Sequence, residues 1–298
     1  MTRLTEVGKS FSRPGLQNSF AGRGLARLAG VWRVVLALVA GMAILLPARF
    51  EFRACAAETG NPPSYESAPV RCLIVTGEDY PGHKWQETTP VLKKLLEARG
   101  DITVDVAEEL TVLRTEKPFQ YQVLVLHFKN YDPDVPGREG LKTLERFVQQ
   151  GGGLVLVHFA CGAFQELKQD FVKLVGRVWD PQLRGHDPYG TFRVRIVDRE
   201  HPITRGLQDF DTVDELYTCL AGDIPIHVLA VARSKVDGKD YPMAFVLQVG
   251  KGRVFHCVLG HDVKAFQSEG VQTLYRQACL WCAGRLGETS RVNPREGR

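Results

Sequence analysis

The sequence predicts an α/β protein with a doubly wound, mostly parallel sheet to which antiparallel strands are added. The first observation is the run Leu154–Val157, four aliphatic residues without polar alternation, which is typical of a strand buried on both faces. The second is that three short apolar runs precede it, with helical patterns between them, in the order expected of a parallel sheet. The third is that Thr191–Val197 alternates apolar and polar residues, which indicates a half-exposed strand.

The first half of the domain supplies four predicted strands and two predicted helices. The strands are Val70–Thr76, Ile102–Val106, Tyr121–His127 and Leu154–Val157. One helix is expected to begin at Thr88–Pro90, because a threonine N-cap with proline in the first turn favours a helix start, and to end at Gly100. The second is the amphipathic stretch Gly140–Gln150. Right-handed crossovers then bring the loops after all four strands to one edge of the sheet.

The second half adds strands of less regular pattern. They are Thr191–Val197, His227–Ala232, Met243–Val249 and Arg253–Leu259. Gly250–Gly252 predicts a hairpin turn between the last two strands, so antiparallel pairing is expected there. A final helix is predicted over 271–285, and 286–298 forms a polar tail. Residues 70–285 are thus predicted to form one α/β domain.

The N-terminal segment has a different composition. Of the net charge of +4, residues 1–56 carry +6, which leaves −2 for the rest and argues against a nucleic-acid partner. Val34–Leu46 is apolar but shorter than the roughly 20 residues that span a bilayer. With basic residues before it and Ala54–Ala56 after it, the run favours a secretory signal peptide. We expect export to the periplasm, envelope or medium; the alternative is a membrane anchor through residues 31–47. Residues 57–69 are expected to be a linker.

Histidines occur in three of the four loops that follow the predicted strands of the first half. His83 lies in the first loop, His127 begins another, and His158 follows the strand Leu154–Val157. Ligands of open α/β sheets bind outside the carboxyl ends of the strands, so His83 and His158 are predicted to be catalytic. Trp85 and Phe159 beside them are predicted to bind substrate, the indole by packing on a sugar ring. The alternative for each histidine is a packed side chain with a backbone partner.

Later segments add polar groups to the same edge. Glu215 and His261 are further predicted catalytic residues, although Glu215 could also be a helix-terminal charge. Three more side chains are predicted to bind substrate: His186, Tyr217 and Asp262. A divalent metal could be held by four histidines: His83, His158, His186 and His261. No short His-x-x-x-His spacing occurs, so these ligands would have to come from separate loops.

Cysteine offers a competing chemistry. Cys161 lies in a strand–turn–helix elbow, where a thiol can become a nucleophile. The register disfavours this role, because aligning a G-x-C-x-G elbow on Gly162 places Ala160 at its apex. The pair Cys279–Cys282 lies within a helical pattern and is interpreted as buried packing. Spacing does not determine the disulfide state of the six cysteines after the proposed cleavage point: Cys72, Cys161, Cys219, Cys257, Cys279 and Cys282.

An ordered set of short motifs runs along the domain. They are Gly82-His83-x-Trp85, the strand ending at His158, Gly185-His186, His201–Leu207, Asp214–Tyr217, Gly250–Phe255 and Leu259–Asp262. Together they closely resemble the ThuA-like (trehalose utilisation) family over about residues 70–285. The resemblance implies a class I glutamine amidotransferase-like, flavodoxin-type fold without the amidotransferase nucleophile. It also implies carbohydrate metabolism, with trehalose-type disaccharides and their 3-keto derivatives as substrates. Phe159–Gly162 departs from the small and hydroxyl residues common in the family.

Three hypotheses of function follow. The first is an exported sugar-active enzyme, of lyase, hydrolase or isomerase type, whose partner is a small-molecule carbohydrate. The second is a non-catalytic carbohydrate-binding module at the cell envelope, in which the histidines would be dispersed. The third is a hydrolase or amidotransferase that depends on Cys161. The enzyme hypothesis requires five side chains to meet in one pocket: His83, His158, His186, Glu215 and His261.

Overall fold

The computed structural model of the protein describes residues 68–79 and 81–287. The predicted signal or anchor segment 1–56 lies outside the described residues, as do most of the linker 57–69 and of the tail 286–298. Within the described ranges, no helix has both the length and the apolar character needed to cross a membrane.

The described part of the chain forms one nine-stranded sheet in the order β2-β1-β3-β4-β9-β8-β7-β5-β6. The strands are β1 (Val70–Val75), β2 (Ile102–Ala107), β3 (Val123–Leu126), β4 (Gly153–Val157), β5 (Gly190–Ile196), β6 (Phe210–Asp214), β7 (His227–Arg233), β8 (Asp240–Val249) and β9 (Gly252–Cys257). The five strands β2, β1, β3, β4 and β9 are parallel to one another, in the order typical of flavodoxin-like folds. The predicted fold class is therefore confirmed.

Helices cover both faces of the sheet. They are α1 (Trp85–Glu97), α2 (Gly137–Gln149), α3 (Lys168–Val175) and α4 (Glu269–Cys282). One core cluster contains Leu96 of α1 and Leu274 of α4, and the other contains Leu144 of α2 and Phe171 of α3. Successive strand residues enter opposite clusters, as the pleat requires, which explains why β3, β4 and the stretch of β1 from Cys72 to Val75 are apolar.

The start of α1 differs from the prediction. The helix begins at Trp85, and Pro90 lies inside it. Thr88 and Thr89 are buried and do not cap the helix. Their hydroxyl oxygens lie 3.3 Å and 3.0 Å from the two ring nitrogens of His127, a fully buried side chain at the end of β3. The threonine pair therefore provides partners for a buried imidazole, a role that looks like a capping motif in sequence.

The antiparallel half brings further loops to the carboxyl edge of the parallel strands. The hairpin turn Gly250–Lys251 joins β8 to β9 as predicted, and β9 then pairs in parallel with β4. Neither β6 nor α3 was predicted. From β9 outward, each strand runs antiparallel to its neighbour, in the order β8, β7, β5 and β6. As a result, β6 ends and β5 begins at the edge where β4 and β9 end.

Candidate functional site

His158 lies where the buried strand β4 reaches the edge of the sheet. Its backbone is in the left-handed region (φ 45°), and its side chain is fully buried. Nδ1 lies 2.7 Å from the carbonyl oxygen of Val258. A carbonyl oxygen only accepts, so Nδ1 carries the proton and donates it to Val258. The other nitrogen, Nε2, faces Glu215 and His261.

Glu215, which follows β6, is the centre of the polar cluster. Its Oε2 lies 3.5 Å from Nε2 of His158 and 3.2 Å from Nδ1 of His261, and its Oε1 lies 3.6 Å from Nε2 of His186. Burial favours the neutral acid, but hydrogen bonds from His158 and His261 outweigh it and hold the pKa of Glu215 well below its usual range. Burial lowers the pKa of His261, and the hydrogen bond and charge of Glu215 more than reverse that effect, so the pKa is raised.

Four of the side chains form a group that fits a divalent metal. Each of His83, His158, Glu215 and His261 offers one ligand atom, and these atoms lie within 4.8 Å of one another. Nε2 of His158 and Nδ1 of His261 are only 3.3 Å apart. Burial lowers the pKa of His83 to about 2, helped by the charges of His158 and His261, so its ring is neutral, the form that binds metals. Three imidazoles and a carboxylate suit transition-metal ions such as Zn²⁺ or Mn²⁺. His186, predicted as a ligand, lies outside this group.

Asp214 fixes the positions of two of these residues, and the sequence did not single it out as a site residue. Its carboxylate is fully buried. Its Oδ2 accepts a hydrogen bond from the backbone N–H of Gly260 at 2.7 Å. Its Oδ1 accepts from the backbone N–H groups of Glu215 at 2.8 Å and His261 at 3.3 Å. The end of β6 is thus joined to the loop after β9. Burial raises the pKa of Asp214, and the three N–H donors and the His158 charge oppose that increase.

A cavity of about 150 Å³ opens beside the cluster and has an aromatic wall. His83, His186, Glu215 and His261 face it, as do Phe159 and Tyr217, both predicted to bind substrate. The ring of His83 stacks on Phe159 with centroids 4.3 Å apart, and His186 stacks on Tyr217 at 5.7 Å. Trp179, which the sequence analysis did not identify, completes the wall 5.4 Å from Tyr217. A single tryptophan in a loop gave no signal of its position.

Two predicted substrate-binding residues lie outside the cavity wall. The indole of Trp85 donates to Oδ1 of Asp79 at 2.9 Å, at the start of α1. Asp262 accepts from the hydroxyl of Tyr189 at 2.8 Å and from the backbone N–H of Ala265 at 2.9 Å. Both side chains are therefore engaged in local structure, and Trp179 takes the position in the cavity wall that was expected of Trp85.

Cys161 contributes to the cavity wall but is fully buried. Burial raises the pKa of its thiol to about 12, and the charge of Lys129 offsets this only in part. The thiol is therefore protonated at neutral pH, which disfavours a nucleophilic role. All six cysteines of the described residues are unpaired thiols: Cys72, Cys161, Cys219, Cys257, Cys279 and Cys282.

The fold and the site together define a class: flavodoxin-like α/β proteins with histidines and a glutamate at the strand ends. The chain belongs to the ThuA family, described as trehalose utilisation, whose family model matches residues 71–282. No curated protein has a sequence that matches this chain.

Solved structures of similar fold include two proteins described as ThuA-like. A protein of Parabacteroides merdae described as ThuA-like is 26% identical, with a TM-score of 0.64 over 73% of this chain and 91% of that one. A second ThuA-like protein, from Bacteroides uniformis, is 21% identical, with a TM-score of 0.59 over 75% and 95% of the two chains. A protein of Salmonella typhimurium LT2 described as cytoplasmic is 14% identical, with a TM-score of 0.53 over 71% and 99%, and shares the fold.

Proposed function

We propose that this protein is a divalent-metal-dependent enzyme that acts on a trehalose-type disaccharide or its 3-keto derivative. The observation that carries the proposal is the convergence of three imidazoles and a carboxylate beside a cavity with an aromatic wall. A purely binding module has no need of such a group, because ring-stacking aromatics and hydrogen bonds suffice to hold a sugar. Membership of a family described as trehalose utilisation supports the choice of substrate.

Each residue of the site has a role that its contacts support. A divalent metal bound by His83, His158, Glu215 and His261 would supply Lewis acidity and a bound water of lowered pKa. The bond from Nδ1 of His158 to Val258 fixes the ring with Nε2 directed inward, as second-shell partners of metal ligands do.

His186 is the proposed acid–base group. Its Nδ1 donates to the carbonyl oxygen of Asp187 at 2.8 Å, so Nε2 is free to take a proton on the cavity side. Nε2 lies 3.6 Å from Oε1 of Glu215, at the edge of the metal-ligand group. Trp179 and Tyr217 would pack against the apolar face of the sugar ring.

The test combines metal analysis with turnover. The purified protein should contain about one divalent metal ion per chain and convert trehalose or 3-ketotrehalose, and a chelator should abolish conversion. His158→Ala should lose both metal and turnover. His227→Ala is the matched control, because His227 is exposed and pairs with Asp198 at 2.7 Å, away from the site. Full turnover in metal-free protein or in His158→Ala would overturn the proposal; sugar binding without turnover would favour the binding module.

We also propose that the protein is exported through its N-terminal segment. The support is the basic, apolar and small-residue pattern of residues 1–56. N-terminal sequencing of the protein from its native host should find Ala57 as the first residue. A start before residue 34 on protein recovered from the cytoplasm would contradict export.

A further inference from the structure

Tyr189 lies beside the cavity and is not used by the proposed chemistry. It directly precedes β5, and 43% of the residue surface is exposed. Its ring centroid lies 5.5 Å from that of His261, which faces the cavity. An aromatic surface therefore continues from the cavity wall to the outside of the protein.

This ring is held in place from two directions. Its hydroxyl donates to Oδ2 of Asp262 at 2.8 Å, and Oδ1 of Asp262 is fixed by the N–H of Ala265 at 2.9 Å. The backbone leading to Tyr189 is also fixed, because the buried carboxylate of Asp187, two residues before Tyr189, accepts a hydrogen bond from the hydroxyl of Ser234 at 2.9 Å. An exposed aromatic ring that is already rigid loses little conformational entropy when a ligand packs on it.

The size of the cavity limits what it can enclose. Pockets that enclose drug-sized ligands measure about 300–1,000 Å³. The cavity here is about half the lower value, at roughly 150 Å³. A cavity of this size encloses one pyranose ring, so the second ring of a disaccharide would lie outside it.

We infer that Tyr189 forms an outer subsite, in which its exposed face packs against the second pyranose ring of the substrate. The inference rests on the proposed function and makes it more specific. Pyranose rings have an apolar face of C–H groups that packs on aromatic rings, while their hydroxyl groups stay in water. The bond to Asp262 keeps the tyrosine hydroxyl away from that face. Tyr189 therefore selects two-ring substrates over one-ring substrates and takes no part in the chemical step.

The test compares two-ring and one-ring ligands. Affinities of the metal-loaded full chain are measured by calorimetry for trehalose and methyl α-glucoside, and for the 3-keto form of each. Tyr189→Ala should weaken two-ring binding by about threefold to tenfold, the range of an aromatic contact, and leave one-ring binding unchanged. Tyr189→Phe, which keeps the ring, should retain most of the two-ring affinity. The matched control is Tyr121→Ala, since Tyr121 also donates to an aspartate, Asp105, but precedes β3 at the opposite edge.

The outcomes separate the two proposals. A two-ring preference that is lost in Tyr189→Ala and kept in Tyr121→Ala supports the outer subsite. Unchanged ligand preference in Tyr189→Ala, or a wild type that binds one-ring and two-ring ligands equally, overturns it while the sugar site stands. A wild type that binds none of the four ligands overturns both.

Discussion

Replacing Asp214 with asparagine tests how the site is held together. The change keeps the size of the side chain but turns one acceptor oxygen into an NH2 group. In the wild type, the N–H of Gly260 donates to Oδ2 at 2.7 Å. If the oxygen retained in the variant accepts from the N–H groups of Glu215 and His261, the new NH2 group faces the N–H of Gly260, so two donors meet and neither has an acceptor. A hydrogen bond to a charged acceptor contributes about 1.5–3 kcal/mol, and an unsatisfied buried donor costs about 1–3 kcal/mol. Because removing a buried charge recovers part of this loss, we expect the free energy of unfolding to fall by about 2–4 kcal/mol.

Urea denaturation measures this loss as a lower midpoint at constant slope. Asp211→Asn, on the same strand, is the control, because Asp211 is exposed and its pair with Arg193 should contribute less than about 1 kcal/mol. Metal affinity should fall in Asp214→Asn and stay unchanged in Asp211→Asn. Equal midpoints for the two variants would refute the assignment of Asp214 as the residue that joins the two loops.

Three further predictions concern residues around the site. His127 is buried and neutral, with its pKa lowered to about 3 by burial and by the charge of His158, whereas an unfolded histidine titrates near about 6.5. Between about pH 4 and 6 the unfolded chain therefore binds one more proton at His127 than the folded chain does, so the free energy of unfolding rises with pH. His127→Gln should reduce that rise by about 1.4 kcal/mol per pH unit. An unchanged pH dependence of the unfolding free energy, measured by urea denaturation, would contradict this prediction. Gly185→Ala would place a methyl carbon 1.9 Å from the ring of Trp179, so it should displace the indole and weaken sugar binding. Tryptophan fluorescence and sugar affinity equal to those of the wild type would count against this prediction. Cys161→Ala should leave turnover within about twofold, since the buried thiol is protonated, and loss of turnover with the fold intact would revive the nucleophile.

Much of the parallel half of the fold could be predicted from the sequence. Strands buried on both faces leave an unbroken apolar run, as β3 and β4 do, and β1 does so from Cys72 to Val75 after the exposed Arg71. The edge strand β6 escaped prediction because its sequence, Phe-Asp-Thr-Val-Asp, has too few apolar residues to distinguish it from a loop. The start of α1 was wrong because the side chains of Thr88 and Thr89 contact His127, a partner 38 or 39 residues away that only the folded chain brings near.

The sequence could predict those residues of the candidate site that directly follow the ends of strands. His83, His158, Glu215 and His261 each lie in a loop at the carboxyl edge, and the structure brings them together. Contacts decided by packing were not accessible. Trp85 and Trp179 look alike in sequence; only the bond to Asp79 and the close approach of Gly185 determine which indole faces the cavity.

The position of β9 has a consequence for how the chain folds during synthesis. β4 is complete at Val157, but its parallel neighbour β9 begins only at Gly252, roughly 95 residues later. At about 5–20 residues per second, a ribosome needs about 5–20 s to make the intervening chain. For that time one edge of a fully apolar strand has no partner, which is the kind of edge that invites intermolecular pairing. The strand that completes the site is thus also the one whose late synthesis leaves β4 exposed on the ribosome until Cys257 has emerged.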